Sequence, residues 1–135
     1  MARKGDADLD TGVKDLDSEH DLLLGVIRAL EKAVAAGSQP EVETLLTQLA
    51  EYTRVHFATE EIMMRLYGFP GFAEHQLEHA RLVEQVEQVR GELARGNVRP
   101  SRPFSSALRH WFTEHVRSQD VALARFVRKA TASTP

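Results

Sequence analysis

With 135 residues, 42% of them hydrophobic and 27% charged, the chain can bury one full core and is too apolar to stay disordered. A net charge of -3 removes the electrostatic case for nucleic acid or an anionic membrane surface as partner, and no apolar run approaches a membrane span. Cys is absent, which excludes disulfides, thiolate catalysis and Cys-held metal.

Residues 1–12 read as an N-terminal arm. Its start, MARKGDADLD, has no apolar stretch behind the basic residues, so no secretory signal is expected and the cytoplasm is the expected location. The first helix carries Leu16, His20, Leu23, Ile27, Leu30 and Val34 at steps of three and four. Asp17 or Ser18 would cap it, and Gly37 would end it. Ser38 or Gln39 precedes the second helix, where Pro40 suits the first turn. Its stripe is Val42, Leu45, Leu49, Tyr52, His56, Glu60, Met63 or Met64, and Tyr67, before Gly68, Pro70 and Gly71 break the chain.

The third helix presents Phe72, His75, His79, Leu82, Val86, Val89 and Leu93 and stops at Gly96 and Asn97. A loop containing Pro100 and Pro103 leads to the fourth, with Phe104, Leu108, Trp111, His115, then Asp120, Leu123 or Ala124, and Val127. Residues 131–135 read as a tail. Helices of about twenty residues or more joined by short connections predict an all-α fold. The expected architecture is an up-down-up-down antiparallel four-helix bundle over residues 13–130.

Five of the six histidines, one glutamate and one aspartate sit on these inward stripes. They are His20, His56 and Glu60 (H-x3-E), His75 and His79 (H-x3-H), and His115 and Asp120 (H-x4-D). Residues four apart share a helix face, so the first two pairs can each grip one site. One histidine on an apolar stripe is ordinarily a satisfied core residue. Seven polar ligands on four such stripes instead call for a compensating charge, and a pair of metal ions supplies it.

The H-x4-D pair departs from helical phase. Five residues turn an ideal helix by about 500°, leaving Asp120 roughly 140° from His115. The apolar stripe nevertheless resumes in phase at 120, as though one residue had been inserted. A π-type turn between Val116 and Gln119 is therefore expected. Among the remaining residues, His110 reads as a surface histidine, Trp111 as core, and Met63 and Met64 as packing. Glu19 and Glu61 read as solvated charges, and Asp17 as a partner for His20.

The stretches LDSEHDLLL, YTRVHFATEEIMMRLYGFP, HQLEH and LRHWFTEHVRSQD, with their spacing, resemble those of a bacterial single-domain hemerythrin. The likeness runs from about residue 12 to 127, although many members carry a Trp in the arm and this chain has none there. The resemblance implies two iron ions. His75, His79 and His115 would bind one and His20 and His56 the other, with Glu60 and Asp120 bridging beside a solvent-derived oxo or hydroxo group. Two six-coordinate irons would then be filled at all positions but one, on the iron with two histidines.

That vacancy implies reversible O2 binding for storage, transport or sensing, and not an enzyme. Leu23, Phe57, Trp111, Phe112 and Val116 are the candidate lining of the O2 pocket. No E-x-x-H occurs, unlike in the ferritin-like oxidases. The competing readings are a di-iron enzyme reducing peroxide or nitric oxide, and a redox or O2 sensor module. O2 and an electron donor are the expected partners, with the chain a monomer or weak homo-oligomer.

Overall fold

Gly37, Gly68 and Gly96 each take a positive φ, at 69°, 66° and 73°, and each follows a helix. Only glycine enters this left-handed region without a side-chain penalty, and there its N–H turns back onto the open carbonyls of the last helical turn. The helices so ended are α1 (Lys14–Ala36), α2 (Gln39–Tyr67) and α3 (Phe72–Ala94). After them come α4 (Arg102–His115), a π turn (Val116–Asp120) and α5 (Val121–Ala132), which together make one continuous rod. The computed structural model describes residues 11–96 and 101–132. The architecture is the expected antiparallel four-helix bundle, with α1 packed on α2 and α4, and α2 on α3.

Several local expectations change. Neither Asp17 nor Ser18 caps α1, whose N-cap is Val13. The Asp17 carboxylate instead accepts from the backbone N–H of Thr11 and Gly12 and from the Thr11 hydroxyl, folding the end of the arm onto the first turn. Ser38 is the N-cap of α2, with Pro40 in the first turn. Pro103 belongs to the first turn of α4 and not to a loop, because a residue without an N–H loses nothing there. Ser101 caps this end by accepting from the Phe104 N–H. The last helix runs to Ala132, two residues into the expected tail. Asn97 and Pro100, with residues 1–10 and 133–135, lie outside the described residues.

The α1 stripe is buried as expected, from Leu16 to Val34. On α2 the inward line is Val42, Leu46, Leu49, Thr53, His56, Glu60 and Met64; Leu45 is half-buried and Tyr52 is 38% exposed. Steps of three-then-four and four-then-three fit a 3.6-residue period equally well. Contact with the flanking helices decides between them.

The apolar interior has two parts. The larger holds Leu23, Ile27, Leu30, Leu46, Phe57, Val86, Leu108 and Phe112, while a smaller one at the other end gathers Met64, Leu123 and Val127 against Phe69 and Phe72. On α3 the buried histidines His75 and His79 fall between Phe72 of the smaller part and Leu82 of the larger.

Candidate metal centre

Helical spacing delivers the seven polar residues to one point. All are buried, with Glu60, His75 and Asp120 at 0% exposure and His20, His56, His79 and His115 at 2–3%. His20 comes from α1, His56 and Glu60 from α2, His75 and His79 from α3, and His115 from the end of α4. Asp120 is carried inward by the π turn Val116–Asp120, where the phase slip in the sequence required one. Without that wider turn, His115 and Asp120 would face different sides of the rod.

Every imidazole presents Nε2 to the two carboxylates. His20 Nε2 is 2.9 Å from Asp120 Oδ2, and His56 Nε2 is 3.3 Å from Glu60 Oε1. His75 Nε2 lies 3.4 Å from Glu60 and 3.1 Å from Asp120. His79 Nε2 is 3.4 Å from Glu60, and His115 Nε2 is 3.1 Å from Asp120. Among the described residues the donors form two overlapping groups, each with its ligand atoms within 4.8 Å of one another. One is Glu60, His75, His79, His115 and Asp120; the other is His20, His56, Glu60 and Asp120. Both carboxylates belong to both groups.

The protein alone leaves this cluster incomplete. Among the described residues, both Glu60 oxygens, Asp120 Oδ1, His56 Nε2 and His75 Nε2 are buried without an aligned hydrogen bond. Burying carboxylates in that condition is costly, and a cation between them removes the cost. Nitrogen and carboxylate oxygen donors suit iron, manganese or zinc. The residues present therefore fit a metal centre.

Their proton affinities carry the same imprint. Burial alone would lower His56, His75 and His115, but the close approach of the Asp120 and Glu60 carboxylates outweighs it and pushes them up to about 10, 9 and 11. At His79 burial prevails, reinforced by the charges of His75 and His115, and the value falls. Burial would raise Glu60 and Asp120; the surrounding imidazoles hold both well below the usual carboxylate range.

The sequence profile of the Hemerythrin HHE cation binding domain matches residues 11–126. The chain belongs to the hemerythrin family. It is 26% identical to the bacteriohemerythrin of Methylococcus capsulatus over 84% of this chain and 87% of that one. It is 28% identical to the myohemerythrin of Riftia pachyptila over 78% of each. A crystal structure of wild-type hemerythrin superposes with a TM-score of 0.83 at 25% identity, covering 87% of this chain and 90% of the other. The fold and a site suited to metal are thus those of a hemerythrin.

Aromatic rings pack around the imidazoles of this hemerythrin. Phe57 stacks on His79 with centroids 3.6 Å apart, Trp111 stacks on His115 at 4.8 Å, and Phe112 meets His20 edge-on at 5.8 Å. Leu23, Phe57, Phe112 and Val116 are buried in one apolar cluster, with Trp111 half-buried against it. His110 is exposed, as expected.

The glutamates flanking the clustered histidines correct the sequence reading. Glu19 is not simply solvated: its carboxylate accepts from His56 Nδ1 at 2.7 Å. Glu61 lies 3.5 Å from His79 Nδ1. Glu78, unremarked in the sequence, accepts from His115 Nδ1 at 2.7 Å. Asp17, in turn, serves Thr11 rather than His20.

Proposed function

We propose that this hemerythrin binds O2 reversibly at a non-haem di-iron centre, for storage, transport or sensing. In this reading His75, His79 and His115 hold one iron, His20 and His56 the other, and Glu60 and Asp120 bridge the pair. The observation that carries it is the division of the donors into groups with three and two imidazoles that share both carboxylates. One iron therefore receives one fewer protein donor, and a small ligand can enter there without displacing a side chain.

When bound, the two irons would supply the electrons that O2 binding draws on. The chain's own contribution is to hold five imidazoles inward, their Nε2 atoms free of protons once metal is bound, and to keep water away. Leu23, Phe57, Trp111, Phe112 and Val116 supply the apolar wall that slows loss of the bound ligand. The same wall favours a binding protein over a reductase of peroxide or nitric oxide, which needs an acid group beside the open position. No helix among the described residues is long and apolar enough to cross a membrane, and the cytoplasm remains the proposed location.

The test is spectroscopic. The diferrous protein exposed to air should develop a visible ligand-to-iron band that fades on degassing and returns on re-exposure. Permanent oxidation on first contact with air would overturn reversible binding and favour the enzyme or sensor reading.

A further inference from the structure

Each imidazole that turns Nε2 inward leaves Nδ1 facing outward, and what Nδ1 meets differs around the site. His56 Nδ1 and His115 Nδ1 each reach a glutamate oxygen at 2.7 Å. His20 Nδ1 and His75 Nδ1 have no hydrogen-bond partner among the described residues. Among the described residues His79 Nδ1 has only the longer approach of Glu61. The two short contacts are distributed one to each donor group, since His56 belongs to the two-imidazole half and His115 to the three-imidazole half.

Both contacts cross between helices. Glu19 reaches from α1 to His56 on α2, and its other oxygen accepts from the Thr59 hydroxyl at 3.3 Å. Glu78 reaches from α3 to His115 at the end of α4. The glutamate side chains are 30% and 31% exposed, while their histidine partners are 2% and 1% exposed. A surface ion pair of that exposure would ordinarily matter little. Here the partner ring is buried, and its other nitrogen faces the metal donors.

We propose that Glu19 and Glu78 are positioning residues for the metal pair, one for each ion. The proposal rests on the metal-binding part of the reading above and not on O2. By accepting the Nδ1 proton, each carboxylate fixes the tautomer that leaves the Nε2 lone pair pointing inward. It also holds the ring plane and places a negative charge one imidazole away from the cation, making Nε2 a stronger donor.

The test uses the full chain with Glu19→Ala, Glu78→Ala, Glu19→Gln and Glu78→Gln, and Glu51→Gln on the exposed side of α2 as control. Ferrous iron is loaded anaerobically, its affinity is read by chelator competition, and the midpoint potential by redox titration. Each Ala variant should weaken one of the two irons by about 10–100-fold with helicity unchanged. Each Gln variant keeps an acceptor for Nδ1, so it should retain more affinity, while its potential moves positive because the negative charge is gone. If an Ala variant unfolds, the potential of the Gln variant decides. A parent that binds two irons, beside variants with parental affinity and potential, would overturn this proposal alone. A parent that takes up no iron would overturn the metal reading and this proposal with it.

Discussion

His79 and His115 face each other through Nε2 at 3.1 Å. With no cation between them two imidazole lone pairs cannot share that space, so in the metal-free protein one nitrogen must carry a proton. His115 holds it, since its pKa is pushed up to about 11 while that of His79 is lowered. In the metal-free protein protons therefore stand in for cations, at His56, His75 and His115.

Metal loading must expel them. Ferrous iron added at pH 8 should release close to three protons, from His56, His75 and His115, whose values are about 10, 9 and 11. Calorimetry in two buffers of different ionisation enthalpy gives the count, and a count near zero would contradict the assignment. The metal-free fold should also be pH-sensitive. Bases with raised values stabilise it fully below about 6.5, and that contribution disappears as pH rises through about 9 to 11. Urea midpoints of the metal-free protein at pH 7 and pH 10.5 would expose the loss.

Removing single proposed ligands should separate the two halves. His56→Ala or His20→Ala should leave a protein that binds less than two irons and no longer gives the reversible band in air. Iron per chain, measured by elemental analysis, and the visible spectrum check this together. Intact O2 binding in either variant would reject the assignment of these two residues to the open iron.

The Phe57 ring lies parallel to His79, 3.6 Å away and 2° from coplanar, and is itself 6% exposed. Phe57→Ala should cost about 3–5 kcal/mol in urea unfolding, from lost burial and the cavity left behind. In the oxygenated state it should also hasten irreversible oxidation, read as faster decay of the visible band, because water gains access.

Asp17 separates scaffold from site. Asp17→Ala removes the acceptor for Thr11 N–H and hydroxyl, and Thr11 is 2% exposed, so a loss of about 1–3 kcal/mol is expected in urea unfolding. Iron affinity should not change. A clear fall in affinity without loss of stability would restore Asp17 as a partner of His20.

What the sequence made legible follows from periodicity. All seven polar residues were found because they interrupt apolar stripes, and the π turn because the stripe after His115 resumes one residue late. Glu19 and Glu78 were illegible for a related reason. Each directly precedes a histidine of the cluster, and one residue is about 100° around a helix, so each reads as pointing away from it. They do point away, toward a histidine on the neighbouring helix: Glu19 to His56 and Glu78 to His115. Such a pairing exists only once helices are packed. The α2 stripe failed similarly, since Leu45 and Leu46 are equally helical and only the neighbouring helices choose Leu46.

The wide turn at Val116–Asp120 gives the fourth rod a tolerance that the other helices lack. Excising one residue from a regular helix swings everything beyond it by about 100° and takes its inner side chains out of the interior. Here the surplus residue is already stored as slack. Losing exposed Ser118 would let the rod relax to ordinary winding, with Asp120 then four places after His115 and still on its side. Shortening by one residue, ruinous elsewhere in the bundle, should at this place leave Leu123 and Val127 seated where they are.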